Sequence, residues 1–219
     1  MIKAFIFDFD GLILDTETPI YRAWADVYEE NGYKLRLIDW EKSLGSADAN
    51  FDVYGHLLDL VNKPLDEEAI RLRVRNQYMS EINASDTLPG IRELIDGALE
   101  RGIRLSVGSS ADRRWLDRHL TRLGLIEKFK VIVSMDDVTH VKPSPEIFNK
   151  VVADLGLKSS ECVVFEDSPN GIRAAHAAGI KCVTIPNTIS SLLDTSTAEI
   201  KLARADEITI DELLARLND

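Results

Sequence analysis

The sequence has little cysteine, relatively few positive charges and no long apolar run. Only Cys162 and Cys182 are cysteines, and each lies inside an apolar stretch, which is typical of reduced, packed thiols and excludes a disulfide framework. Lysine and arginine number 26 against 37 acidic residues, so the formal net charge is −11. A net negative charge of this size disfavours binding to nucleic-acid backbones and to acidic lipid headgroups. We therefore expect no nucleic-acid and no membrane partner, and nothing in the sequence implies an obligate protein partner.

The chain never reaches the roughly 18 consecutive apolar residues that a membrane-spanning helix needs. Near the N-terminus, Asp8 and Asp10 interrupt the stretch where a signal peptide would require unbroken apolar residues. Together with the reduced cysteines, these absences predict a cytoplasmic protein. Apolar residues nevertheless make up 45% of the chain, which is enough for a packed core and excludes global disorder.

Short apolar runs predict a sheet that is buried on both faces. Continuous runs, rather than alternating ones, are typical of parallel strands covered by helices, and the intervening segments have helical periodicity. The sequence therefore predicts a doubly wound, Rossmann-like α/β fold with a parallel sheet. The predicted strands are Ile2–Phe7, Arg104–Ser109, Val131–Ser134, Cys162–Glu166 and Cys182–Ile185.

Two Ser-Pro pairs predict the starts of helices. In Ser144-Pro145 and Ser168-Pro169 the hydroxyl can cap the helix, and the proline suits the first helical position because its missing N–H has no partner there. We expect both helices to begin at the proline.

A long helical segment from Thr16 to Asn83 separates the first strand from the rest of the sheet. The segment shows no convincing strand and is too long for an ordinary loop. It predicts an inserted all-α cap domain over residues 16–83, with residues 1–15 and 84–219 forming the α/β core. At its entry, Asp15, Thr16 and Glu17 are interpreted as turn and capping groups.

Acidic side chains follow two of the predicted strands. Asp8 and Asp10 come after the first strand, and Glu166 and Asp167 come at the end of the fourth. Ligands of open α/β sheets bind beyond the carboxyl ends of the strands, so we expect these carboxylates to gather at one edge. Like charges this close require a cation. Oxygen ligands without a Cys or His cluster indicate a hard ion, and Mg²⁺ is expected because it binds few protein carboxylates.

Hydroxyl and ammonium groups are expected at the same edge. The second strand ends in Ser109 and Ser110, and Lys142 lies in the loop after the third. Such groups, with the N–H groups that open a helix, bind anions. Together with the carboxylates and a metal ion they predict a phosphate site, so the expected partner is a small phosphorylated metabolite.

The chain resembles the haloacid dehalogenase superfamily in four motifs that occur in order. The similarity is to the branch that contains β-phosphoglucomutase and small-metabolite phosphatases with a helical cap. Those motifs are the string DFDGLILDTE from Asp8 to Glu17, Ser109, Lys142-Pro143, and the string EDSPNG from Glu166 to Gly171.

This resemblance implies a role for each site residue. Asp8 would attack phosphorus and form an aspartyl-phosphate, while Asp10 would protonate the leaving alkoxide and then take a proton from water. Asp8, Asp10 through its backbone carbonyl, and Asp167 would hold Mg²⁺, with Glu166 in or next to the ligand set. The transferring oxygens would be held by Ser109 and Lys142.

The cap segment favours hydrolysis over mutase chemistry. β-Phosphoglucomutases usually carry a His five residues after the position of Asp15 and an Arg after the first cap-loop Gly, whereas this chain has Ile20 and Asp48. A carboxylate would repel the second phosphate of a sugar bisphosphate. The hypothesis is a Mg²⁺-dependent phosphatase of small metabolites such as sugar phosphates, with a β-phosphoglucomutase-type mutase as the alternative. Substrate specificity is expected from Gly45, Ser46, Asp48 and Asn50.

Two other functions are disfavoured. A non-enzymatic phosphoacceptor domain would need neither the acid–base group at Asp10 nor a large cap. Enzymes of the superfamily that hydrolyse carbon–halogen bonds typically lack the second acidic residue.

Overall fold

A single parallel sheet forms the centre of the fold. The computed structural model describes residues 1–40 and 51–218, and within these ranges the six strands have the order β3-β2-β1-β4-β5-β6. Five of the strands match the predicted runs to within one or two residues at each end. The sixth was not predicted because two residues make no apolar run. The bounds are β1 (Ala4–Phe7), β2 (Arg104–Gly108), β3 (Val131–Val133), β4 (Cys162–Glu166), β5 (Lys181–Thr184) and β6 (Ile200–Lys201).

Helices cover the sheet and form the insert after β1. None of the helices within the described ranges is long and apolar enough to cross a membrane. Their bounds are α1 (Glu17–Glu30), α2 (Leu37–Trp40), α3 (Val53–Val61), α4 (Glu67–Ala84), α5 (Ile91–Glu100), α6 (Arg113–Arg122), α7 (Glu146–Leu155), α8 (Pro169–Ala177) and α9 (Ile210–Asn218).

Strand β1 shows why the apolar runs are continuous. Phe5 and Phe7 point to one face of the sheet and pack with α5, α6 and α9, whereas Ala4 and Ile6 point to the other and pack with α7 and α8. Successive side chains of a strand face opposite sides, so a strand covered on both sides needs apolar residues at every position. The predicted doubly wound α/β fold is confirmed.

The insert contributes most of a further apolar cluster, which also includes Ile189 from the segment after β5. Trp24 and Tyr28 of α1, Leu57 of α3 and Val74 of α4 are buried together. The Tyr28 hydroxyl donates a hydrogen bond to the carbonyl of Val53 at 2.7 Å, which joins α1 to the start of α3. The division of the chain into residues 16–83 and the remainder stays a prediction.

The two Ser-Pro pairs behave differently. Ser168 caps α8, which begins at Pro169 as predicted. The prediction for α7 is wrong by one residue, because this helix begins at Glu146 and Pro145 is its N-cap. Ser144 is held instead in a turn in which its N–H bonds the carbonyl three residues earlier.

Candidate active site

The ends of β1 and β4 bring three acidic residues together. These strands are neighbours in register, with Phe7 opposite Phe165, so Asp8 and Glu166 come next to each other at the edge of the sheet. Asp167 follows directly. Ligand oxygens of Asp8, Glu166 and Asp167 all lie within 4.8 Å of one another, and all three residues are buried.

Lys142, from the loop after β3, lies between two of these carboxylates. Its Nζ donates to Asp8 Oδ1 at 2.5 Å and to Glu166 Oε1 at 2.7 Å. Burial lowers the pKa of Lys142, but the two carboxylates more than offset this, so its pKa lies above the ordinary value. The side chain is therefore a fixed ammonium in the floor of the site.

Glu166 has protein donors on both carboxylate oxygens. While Oε1 accepts from Lys142, Oε2 accepts from the backbone N–H of Asp167 at 2.9 Å and from the Ser168 N–H and hydroxyl, each at 3.0 Å. A Cβ at Gly171, in the first turn of α8, would overlap this carboxylate. Glu166 thus fixes the loop that carries Asp167.

Asp167 is held by a residue that the sequence did not reveal. Asn187 Nδ2 donates to Asp167 Oδ2 at 2.9 Å and to the carbonyl of Gly11 at 3.0 Å. Gly11 has a φ of +83°, and a Cβ there would overlap the Asp167 carboxylate. Asn187 comes shortly after β5, just as the other site residues come after their strands. Its position in the sequence was therefore the one feature that could have predicted its place in the site.

The buried carboxylates exceed the available positive charge. Burial, together with the charge of Glu166, outweighs the effect of Lys142 and raises the pKa of Asp8 to about 7. Burial, followed by the charges of Glu166 and Asp8, raises the pKa of Asp167 well above its ordinary value. Asp10 adds a fourth carboxylate to the same cavity. A cluster of oxygen donors with excess negative charge fits a hard divalent cation.

Asp10 is anchored by a residue of helix α6 that also lines the cavity. Its Oδ1 accepts a hydrogen bond from the indole Nε1 of Trp115, on α6, at 3.0 Å. Burial raises the pKa of Asp10 to about 6, and the indole hydrogen bond partly offsets the rise. Trp115 gave no signal in the sequence because an aromatic residue within a helix is typical of core packing.

Ser109 and Ser110 occupy the end of β2. Ser109 is buried, and its Oγ accepts from the N–H of Ala111 at 3.1 Å. Ser110 is exposed. A cavity of about 1000 Å³ brings the predicted groups together; its lining includes Asp8, Asp10, Ser109, Ser110, Lys142, Glu166 and Asp167.

The insert supplies the opposite wall of this cavity through Ile20 of α1 and Arg75 and Tyr78 of α4. Glu17 also lines it, although the sequence suggested only a capping group there. Burial, followed by the nearby Asp10 and Asp15, raises the pKa of Glu17 to about 7. The predicted specificity residues Gly45, Ser46, Asp48 and Asn50 lie outside the described residues.

Comparisons with known proteins give the chain a family. A family model described as haloacid dehalogenase-like hydrolase matches residues 5–185. The chain is 38% identical to YhcW of Bacillus subtilis (strain 168), a protein named provisionally as a phosphatase. The alignment spans 218 residues, which is 100% of this chain and 99% of the relative. It is 31% identical to the fructose-1-phosphate phosphatase YqaB of Escherichia coli (strain K12), over 82% of this chain and 94% of that one.

Among solved structures, CbbY from Rhodobacter sphaeroides in complex with phosphate has a TM-score of 0.72 and 26% identity, with 100% of both chains covered. The family match extends over the strand ends that carry Asp8, Ser109 and Asp167 and over the loop that carries Lys142. The chain therefore belongs to the haloacid dehalogenase-like hydrolases.

Proposed function

We propose that the chain is a phosphatase that hydrolyses small phosphorylated metabolites through an aspartyl-phosphate intermediate, with Mg²⁺ as its metal ion. The observation that carries this proposal is the convergence of Asp8, Lys142 and Asp167 at the floor of a cavity that also contains Asp10. This arrangement provides a nucleophile, positive charge and a group that can transfer a proton.

In the first half-reaction a carboxylate oxygen of Asp8 attacks phosphorus, and the bond between phosphorus and the ester oxygen breaks. The leaving oxygen takes the proton of Asp10, so an alcohol departs and the phosphoryl group remains on Asp8. Burial supports the acid role because it raises the pKa of Asp10 to about 6, which keeps a protonated fraction near neutral pH.

In the second half-reaction water attacks the phosphorus of the aspartyl-phosphate. Asp10, now ionised, takes the proton of this water, and cleavage of the acyl-phosphate bond releases inorganic phosphate and restores Asp8. One carboxyl thus serves both steps, because the first step leaves it as a base.

The remaining site residues hold charge in place. Asp8, Asp167 and the backbone carbonyl of Asp10 would hold Mg²⁺, which would offset negative charge on the carboxylates and on the phosphoryl group when bound. Lys142 and Ser109 are proposed to bind the phosphoryl oxygens. Electrostatic positioning of this kind supplies most of the catalysis in phosphoryl transfer.

The cavity leaves room for a polar leaving group. Its volume of about 1000 Å³ is several times that of a phosphate group. Arg75 from α4 and Arg114 from α6 line the wall, and within the described ranges neither forms an ion pair or a side-chain hydrogen bond. Free guanidinium groups favour a hydroxyl-rich or anionic metabolite. A sugar phosphate fits this wall and agrees with the substrate in the name of the Escherichia coli relative.

Residues 16–83 are proposed as a cap domain. This domain would provide the part of the cavity wall that is formed by α4.

Hydrolysis is favoured over a mutase reaction by Ile20. This apolar side chain lines the cavity at the position where β-phosphoglucomutases usually have a His. It can neither donate a hydrogen bond nor transfer a proton to a sugar hydroxyl.

A screen of phosphorylated metabolites with Mg²⁺, measured by release of inorganic phosphate, tests the function. Asp8→Asn should lower turnover about 1000-fold or more, because an amide oxygen is a poor nucleophile. Normal turnover by this variant would rule out the nucleophile assignment.

A second experiment separates the phosphatase from the mutase. If β-glucose 1-phosphate with a bisphosphate primer gave glucose 6-phosphate faster than free phosphate, the mutase would be favoured.

A further inference from the structure

The indole of Trp115 lies between Asp10 and the buried ring of His119. Its Nε1 donates to Asp10 Oδ1 at 3.0 Å, and its ring centroid is 4.1 Å from that of His119. Trp115 also lines the cavity, so the hydrogen bond is formed beside the space where substrate would lie. Trp115 itself lies outside the four sequence motifs.

Several contacts fix the position of the indole. Asp112 caps α6 by accepting from the backbone N–H of Trp115 at 2.8 Å. His119 is fully buried behind the indole, and the opposite side of the His119 ring lies near Phe9. The Nε of Arg122 approaches His119 Nδ1 at 3.5 Å. The indole therefore cannot turn toward the core without displacing buried His119.

The direction of the hydrogen bond limits where the Asp10 proton can reside. An indole N–H is a donor only, so Asp10 Oδ1 must be the acceptor. When Asp10 is protonated, this hydrogen bond favours the proton on Oδ2, because the unprotonated oxygen of a carboxyl group is the better acceptor. This leaves one defined oxygen to deliver the proton.

We propose that Trp115 is a positioning residue that aims the Oδ2–H group of Asp10 at the leaving oxygen of the substrate. This proposal rests on the acid–base role of Asp10 in the proposed function. As the bond between phosphorus and the ester oxygen breaks, the Oδ2 proton passes to that oxygen and its electron pair stays on Oδ2. Without the indole N–H, the carboxyl rotates and the proton is delivered less often.

Trp115→Phe removes the N–H and keeps an aromatic ring. We expect kcat/KM for an alkyl ester, fructose 1-phosphate, to fall about tenfold or more, because its alkoxide needs the proton. For p-nitrophenyl phosphate, whose leaving group is stable as an anion, we expect a fall of less than about threefold. The control Trp24→Phe makes the same change in the apolar cluster of the insert and should preserve the ratio between the two substrates.

A double-mutant cycle separates positioning from general disruption. In an Asp10→Asn background, Trp115→Phe should cause no further loss with the alkyl ester, since the group it positions is gone. The proposal would be overturned if Trp115→Phe lowered kcat/KM equally for both substrates. It would also be overturned if the loss from Trp115→Phe added to the loss from Asp10→Asn. Both outcomes are decisive even if Trp115→Phe is less stable. If Asp10→Asn itself hydrolyses the alkyl ester normally, the proposed function fails instead. A Trp115→Phe variant with the wild-type ratio, alongside an impaired Asp10→Asn, would refute the positioning role alone.

Discussion

Gly11 shows how closely the backbone approaches the site. Its φ is +83°, which favours glycine. In addition, a Cβ at this position would overlap the Asp167 carboxylate. Gly32 has the same φ but no atom within 4 Å of an added Cβ. The two glycines therefore separate the effect of backbone strain from the effect of crowding the site.

We expect Gly11→Ala to lower phosphatase activity about 100-fold, because Asp167 and Asn187 must move. Gly32→Ala should cost about 1 kcal/mol of unfolding free energy and leave activity unchanged. Enzyme assays and urea unfolding of both variants measure the difference. Equal activities in the two variants would contradict the role of Asp167.

Glu17 is a half-buried acid. Its pKa is raised to about 7, mainly by burial and then by the charges of Asp10 and Asp15. In the unfolded chain its pKa is near 4.5. Because the folded state binds the proton more tightly, the stability that this group contributes is lost as the pH rises between these two values.

We expect Glu17→Gln to raise the free energy of unfolding by about 1–2 kcal/mol at pH 8, with little change at pH 4. Glu29→Gln, on the exposed side of the same helix, should have no comparable effect. Urea unfolding across this pH range measures both variants. A gain for Glu17→Gln that does not depend on pH would show that its charge is not the cause.

Strand ends could be read from the sequence, but helix faces could not. Asp8, Glu166 and Asp167 could be predicted because each ends or follows a recognisable apolar run, and the carboxyl ends of parallel strands share one edge. Trp115 could not, because its role depends on which side of α6 faces Asp10. The contacts of Glu17 and Arg75 likewise depend on how the insert packs over the core.

The end of α4 is held by the core helix α6. Arg122 of α6 donates to the carbonyl oxygens of Ser85 at 2.6 Å and of Ile82 at 3.1 Å. These carbonyls lie where the chain leaves the insert. The last carbonyls of a helix lack intrahelical donors, and the arginine supplies donors to both, although the Ile82 carbonyl also accepts from the Ser85 N–H at 3.3 Å.

Arg122→Met should lower the free energy of unfolding by about 1–3 kcal/mol and speed amide exchange near the end of α4. Arg113→Met on the same helix removes an exposed ion pair with Asp117 and should cost less than about 1 kcal/mol. Thermal unfolding and hydrogen exchange compare the two variants. Unchanged exchange near residues 82–85 would show that Arg122 does not secure this end.

At the scale of the whole molecule, residues 1–40 and 51–218 contain acidic residues in two different kinds of cluster. Asp8, Glu166 and Asp167 are buried together at the end of the sheet. Asp136 and Asp137 instead lie with Glu146 around a shallow surface depression. Only the first cluster combines burial with excess charge, so only this one should bind a divalent cation strongly.

Mg²⁺ should stabilise the folded protein by about 2.7 kcal/mol at 100 times its dissociation constant. Thermal unfolding with and without the ion measures this gain, and chelation should abolish both the gain and the activity. Asp167→Asn should lose the stabilisation, whereas Asp136→Asn should retain it. Full activity after removal of divalent ions would contradict the role proposed for the metal.

The hydrogen bonds around Glu166 have a further consequence for how the protein responds to its surroundings. Lys142, the N–H of Asp167, and the N–H and hydroxyl of Ser168 already satisfy this carboxylate, so the floor of the pocket has its shape before any ion binds. Binding of a divalent cation should then be reversible and should require no refolding. Removal of the ion should abolish activity while leaving the fold intact, and adding it back should restore activity without refolding.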